Sequence, residues 1–227
     1  MRTRVKICCM GSADEVAQAV AAGADALGFV SAMPSGLGII EEELIGPLAA
    51  RVPPPVASFL LTSLTEASAI IAQQRRCRTS TLQLVDEIEQ GGHERLRAAL
   101  PGIKLVQVLH VLGPQTIDEA LALSPVVDAF LLDSGNPFAS VKELGGTGRV
   151  HDWRVSRAIR EQSGRPVFLA GGLRPDNVGE AIGVVQPYAV DVCSGVRTDG
   201  QLDTRKLDAF FAAVAAAQED GRTRPPS

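Results

Sequence analysis

Val5-Lys6-Ile7-Cys8-Cys9-Met10-Gly11-Ser12 is the stretch that separates two architectures, because it joins the first apolar run to the first amphipathic one. Val5–Met10 reads as a strand. In Ser12–Ala22, Val16, Ala19 and Val20 recur at helical spacing, with Ser12 placed to cap the helix ahead of Asp14 and Glu15 and Gly23 placed to end it. A dinucleotide-binding doubly wound sheet wants G-x-G-x-x-G at this junction. Cys8-Cys9-Met10-Gly11-Ser12 stands there instead, which moves the choice toward a closed barrel.

The same alternation continues along the chain. Strands are expected at Ala26–Val30, Val56–Leu61, Thr81–Val85, Ile103–Val111, Ala129–Leu132, Val167–Leu169 and Tyr188–Val192. Helices are expected at Glu41–Arg51, Thr65–Gln74, His93–Leu100, Gln115–Leu123, Asp152–Gln162, Pro175–Val185 and Thr204–Gln218. The strands are continuous apolar runs, as in sheets buried on both faces, and alternating strands and helices imply parallel pairing with right-handed crossovers. Eight such units in 227 residues predict an α/β fold, a single (β/α)8 TIM barrel over 1–218 with a flexible, polar, Pro-rich tail at 219–227.

Composition narrows the class of function. Hydrophobic residues make up 45% and charged residues 21%, enough to bury a core. Aromatics are 4%, too few for a base-stacking platform, and the net charge of −4 supplies no basic field for a polyphosphate, so no nucleic-acid partner is expected. No apolar run approaches the roughly 20 residues of a membrane span, and the basic start lacks the apolar stretch of a signal peptide. Four cysteines, two of them adjacent, do not resemble a disulfide framework. A cytoplasmic globular protein with no membrane partner is the expectation.

Barrel active sites lie at the C-terminal ends of the strands. Cys8 and Cys9 fall there after the first strand, Gln83 late in the fourth, Asp133 at the end of the sixth, and Asp191 and Cys193 at the end of the eighth. Three glycine-bearing loops follow the last three strands: Gly145-Gly146-Thr147-Gly148, Gly171-Gly172 and Ser194-Gly195. Glycines let backbone amides approach an anion, and the loops after strands seven and eight are the usual phosphate site of this fold. Bland readings also hold for single residues: a strand Cys is often core, and an Asp ending a strand often caps a turn. Asp191, between valines, needs a partner for its charge. His93, His110 and His151 have no ligand spacing, so no metal is expected.

Taken in order, Val5-Lys6-Ile7-Cys8, Ala22-Gly23-Ala24-Asp25-Ala26-Leu27-Gly28-Phe29-Val30, Leu131-Leu132-Asp133-Ser134, Gly145–Gly148 with Asp152-Trp153, Leu169–Val178 and Val190–Val196 resemble the phosphoribosylanthranilate isomerase family of tryptophan biosynthesis. The resemblance implies a (β/α)8 barrel that converts N-(5′-phosphoribosyl)anthranilate to 1-(2-carboxyphenylamino)-1-deoxyribulose 5-phosphate by an Amadori rearrangement, without a cofactor. It implies Asp133 as general acid on the ribose ring oxygen and Cys8 as general base at C2′. It places Asp191 near the anthranilate nitrogen, with Lys6 and Gln83 also at the substrate. Gly146, Thr147, Gly148, Gly171, Gly172, Ser194 and Gly195 are implied to hold the phosphate. Lys6 shares a strand face with Cys8 by the two-residue period and is expected to depress its pKa. A small ribose-phosphate substrate is the implied partner, with monomer and homodimer both open.

Three positions depart from the family pattern. Cys9 stands where a Gly follows the catalytic Cys. Ser35-Gly36-Leu37-Gly38 lacks the Arg that anchors the anthranilate carboxylate, and Gln83-Leu84-Val85-Asp86 lacks a His. Arg197, just after the Ser194-Gly195 loop, is the cation expected to compensate. These changes keep two alternatives in view: a paralogue isomerising a different ribose-phosphate amine, and a non-catalytic phosphate-binding barrel.

Overall fold

Ser12 does what its position suggests: its side chain accepts a hydrogen bond from the Glu15 N–H at 3.2 Å and starts helix α1, Ala13–Ala21. The computed structural model describes residues 2–136, 138, 139, 142, 144 and 149–223, with side chains described up to residue 219. Strand β1 is Arg4–Ile7, followed after α1 by β2 (Ala26–Val30), α2 (Glu42–Ala49), β3 (Ala57–Thr62), α3 (Ala67–Cys77) and β4 (Thr81–Leu84). Next come α4 (Gly92–Ala99), β5 (Lys104–His110), α5 (Gln115–Leu123), β6 (Ala129–Asp133) and α6 (Trp153–Gln162). The last elements are β7 (Val167–Leu169), α7 (Val178–Val185), β8 (Ala189–Val192) and α8 (Thr204–Thr223), with a short hairpin of β9 (Arg197–Thr198) and β10 (Gln201–Leu202) before α8.

Strands β1 to β8 form a closed barrel in sequence order, all parallel, with β1 paired to both β2 and β8. The pleat then sorts side chains into two apolar sets. Ile7, Leu27, Phe29, Leu60, Leu82 and Leu84 face the helices, while Phe59, Leu61, Val106, Val108, Leu131 and Phe168 fill the interior. Continuing that alternation carries Lys6, Cys8, Gln83, Asp133 and Asp191 inward.

Several expected boundaries shift, and three of them bear on the site or the tail. Strand β1 ends at Ile7 and not Met10, because Cys9 adopts a left-handed φ of 67° that extended backbone excludes. Helix α7 starts at Val178 and not Pro175. The Asn177 side chain accepts from the Arg174 N–H at 2.8 Å and donates to the Gly172 carbonyl at 2.9 Å, which closes a turn ahead of the helix. Helix α8 continues past Gln218 to Thr223, into the segment expected as tail.

Candidate active site

Cys8, Gln83, Asp133 and Asp191 converge from β1, β4, β6 and β8 on one cavity of about 80 Å³ at the C-terminal end of the barrel. Gly171, Gly172 and Ser194 border the same cavity. Gln83 is buried, and its Oε1 has no protein partner, leaving an acceptor for a ligand donor. Lys6 lies beneath the cavity floor, fully buried, with Nζ 2.9 Å from Asp191 Oδ1.

Burial and charge set the protonation states here. Desolvation lifts Asp133 above the ordinary carboxylate range against the Ser134 N–H, which donates to Oδ1 at 2.7 Å, so the group is suited to hold a proton and release it. Asp191 is also raised by burial, with Lys6 pulling back. Burial disfavours the Lys6 ammonium, but Asp191 and Cys8 outweigh it and hold its pKa above the ordinary value. Cys8 runs against expectation. Lys6 does lower it, yet burial is the larger effect and pushes the thiol up to about 11, so it rests protonated in the free protein.

Glycine makes room for three of these groups. At Gly28 of β2, an added Cβ would stand 2.8 Å from Cys8 Sγ and 3.2 Å from Lys6 Nζ. At Gly171, where φ is +82°, it would stand 3.1 Å from Asp133 Oδ1. Of the residues expected at the phosphate, Gly171, Gly172 and Ser194 border the cavity, and Gly195 packs against the Leu173 carbonyl. Gly146, Thr147 and Gly148 lie outside the described residues.

The cysteines need a correction. Cys9 and Cys193 form a disulfide with Cα atoms 6.0 Å apart, while Cys8 and Cys77 are free. Cys193 is therefore not a plain core residue. A separation of 184 residues hid the pair in the sequence, but β1 and β8 are neighbours because the barrel closes between them. Arg197 is committed elsewhere as well. Its guanidinium meets Glu15 at 2.7 and 3.0 Å and the Cys9 carbonyl at 2.5 Å, so it is not free to stand in for the missing Arg.

Met33, Leu37, Leu61, Val85, Leu131 and Leu144 give the same cavity an apolar lining. Sequence reading weighed His110 only as a metal ligand, and the structure brings it to the rim of the site. It pairs in register with Asp133, its Nε2 lies 3.3 Å from the Val85 carbonyl, and burial lowers its pKa against the pull of Asp133. Its strand parity with Val106 and Val108 was the available signal. Among the described residues, no helix is long and apolar enough to cross a membrane.

Residues 5–213 match the family model described as N-(5′-phosphoribosyl)anthranilate (PRA) isomerase. The chain is 36% identical over 209 residues to an N-(5′-phosphoribosyl)anthranilate isomerase 2 of Methanosarcina mazei, covering 91% of this chain and 92% of that one. It is similar to a phosphoribosyl anthranilate isomerase solved in complex with reduced 1-(o-carboxyphenylamino)-1-deoxyribulose 5-phosphate, at TM-score 0.78 and 26% identity, over 94% and 99% of the two chains. It is also similar to monomers generated from the dimeric enzyme of Thermotoga maritima, at TM-score 0.76 and 26% identity, over 94% and 99%.

Proposed function

The chain belongs to the N-(5′-phosphoribosyl)anthranilate isomerase family, and we propose that Asp133 and Cys8 are its acid and base. It isomerises N-(5′-phosphoribosyl)anthranilate to 1-(2-carboxyphenylamino)-1-deoxyribulose 5-phosphate in tryptophan biosynthesis. The observation that carries the residue assignment is the meeting of a buried carboxyl, its pKa raised by desolvation, and a buried thiol in one cavity edged by Gly171, Gly172 and Ser194.

Asp133 gives its proton to the ribose ring oxygen as the C1′–O bond breaks, and the nitrogen lone pair closes a C=N bond. The iminium cation so formed adds to Lys6 in favouring the Cys8 thiolate, against the desolvation that holds the free thiol protonated, and the thiol proton leaves to solvent at the cavity mouth. Cys8 then takes the C2′ proton and the C=N electrons return to nitrogen; the enolamine becomes the ketone as its C2′ hydroxyl gives a proton back to Asp133 and Cys8 returns one to C1′. Carbon C1′ is reduced as C2′ is oxidised, so the electrons balance within the substrate. Asp191, raised but paired with Lys6, stands to orient the substrate nitrogen, and Gln83 accepts a substrate hydroxyl. Lys6 acts from beneath, through Asp191 and Cys8.

Gly171, Gly172, Ser194 and Gly195, with Gly146, Thr147 and Gly148, are assigned to the phosphate. Backbone amides at such loops bind an anion locally, which reconciles an acidic chain with an anionic substrate. The protein acts in the cytoplasm as a monomer or homodimer. Loss of anthranilate-ribose fluorescence with purified protein, together with rescue of a tryptophan auxotroph lacking this isomerase, tests the reading. No turnover at high enzyme concentration overturns it.

A further inference from the structure

The substrate's aromatic ring carries a carboxylate ortho to the amine, and an apolar wall alone gives that charge no partner. The cations nearest in chemistry are already engaged: Lys6 with Asp191 under the floor, Arg197 with Glu15, and Arg174 with Asp176 on the phosphate side. Lys142 is placed differently. Its carbonyl accepts a hydrogen bond from Ser35 Oγ at 2.5 Å, and Ser35 is on the cavity rim beside Leu37. Its Nζ meets Asp86 Oδ2 at 2.6 Å, and Asp86 follows Val85, another lining residue. Lys142 thus ties the β2–α2 loop to the β4–α4 loop over the apolar half of the mouth. Its side chain is 47% exposed, while that of Asp86 is 11% exposed.

We infer that Lys142 is a specificity-determining residue, whose ammonium takes the substrate's aromatic carboxylate while Asp86 parks it in the empty enzyme. The inference rests on the proposed isomerase reading. A flexible four-carbon stem and three rotatable donors let an ammonium hold Asp86 and a ligand carboxylate together or exchange one for the other. Ring and charge would then be read by different groups, the ring by Val85, Leu131 and Leu144 and the charge by Lys142.

The test compares two substrates on the full chain: N-(5′-phosphoribosyl)anthranilate and its carboxylate-free analogue N-(5′-phosphoribosyl)aniline. Loss of a charge-assisted contact predicts that Lys142→Met raises KM for the first about 10- to 100-fold, with kcat little changed. For the analogue, Lys142→Met and the unaltered chain should have the same kcat/KM. Lys142→Arg should restore most of the loss, and Asp86→Asn should lower KM by releasing the ammonium. An unchanged KM in Lys142→Met overturns the inference. So does an equal loss on both compounds, which would make Lys142 a loop tie only. If the unaltered chain turns over neither compound, the isomerase reading falls with it; turnover that ignores the carboxylate sinks this inference alone. Because the Lys142 side chain is half exposed, its truncation leaves the core intact.

Discussion

The two ends of the barrel both hold a cavity and both hold charge, yet they treat that charge in opposite ways. The N-terminal end has the larger space, about 450 Å³, bordered by Arg4, Phe59, Thr81, Lys104, Phe168 and Tyr188. Its carboxylates are occupied. Asp25 pairs with Arg2 and accepts from the Val5 N–H at 2.9 Å, and Asp128 meets Arg97 at 3.1 Å and accepts from the Leu105 N–H at 2.9 Å. Despite partial burial, those contacts hold Asp128 below its ordinary range. The C-terminal end has less room, about 80 Å³, and raises the pKa of Cys8, Asp133 and Asp191 together. Volume therefore does not mark the reactive end. Buried groups with raised pKa values gathered on one cavity mark the end proposed to react.

The comparison can be broken most directly by removing the proposed acid or the proposed base. Cys8→Ala and Asp133→Asn should each lower kcat by about 10²- to 10⁴-fold, the span expected for loss of one positioned proton carrier. A loss under tenfold in the fluorescence assay would mean that the wrong end, or the wrong residue, has been chosen. Lys6→Met should come next. It strands Asp191 without its counter-ion and should cost about 3–5 kcal/mol in urea unfolding, most of it recovered in Lys6→Met/Asp191→Asn. If the double variant is no better than the single one, the pair is not energetically coupled.

A subtler effect sharpens the contrast through pH. Asp133 has its folded pKa raised above the unfolded value, so the folded state binds that proton more tightly, and the stability this brings is lost as pH rises through the folded pKa. Asp133→Asn removes the ionised form, and should therefore raise Tm at pH 8 by an increment that shrinks toward pH 4. An increment that grows on acidification reverses the sign and refutes the reasoning. The smallest effect is expected at the other end: Arg4→Met, which removes the guanidinium stacked 4.2 Å from the Tyr188 ring centroid, should leave kcat/KM within about twofold. A tenfold fall would give the larger cavity a role in turnover.

Strand order and the inward placement of Cys8, Asp133 and Asp191 were legible in the sequence, because period and strand ends are local properties. What escaped was whatever depends on closure. Glu15 with Arg197, Cys9 with Cys193 and Lys142 with Ser35 join positions far apart in the chain, and no local pattern announces them. The protonation of Cys8 escaped for another reason. Parity showed Lys6 beside it, but the balance between that charge and desolvation depends on how deeply the barrel buries both. Gly28 read as an ordinary strand residue, and its use appears only once Sγ and Nζ fill the space above it.

The Cys9–Cys193 bond also changes the topology of the chain. With that bond in place, residues 9 to 193 form a covalent ring, and the seam lies where the first strand meets the last. A single backbone cut anywhere within the ring opens it without releasing a piece, since both fragments stay attached through sulfur. The barrel would then migrate as one species on a non-reducing gel and as two after reduction.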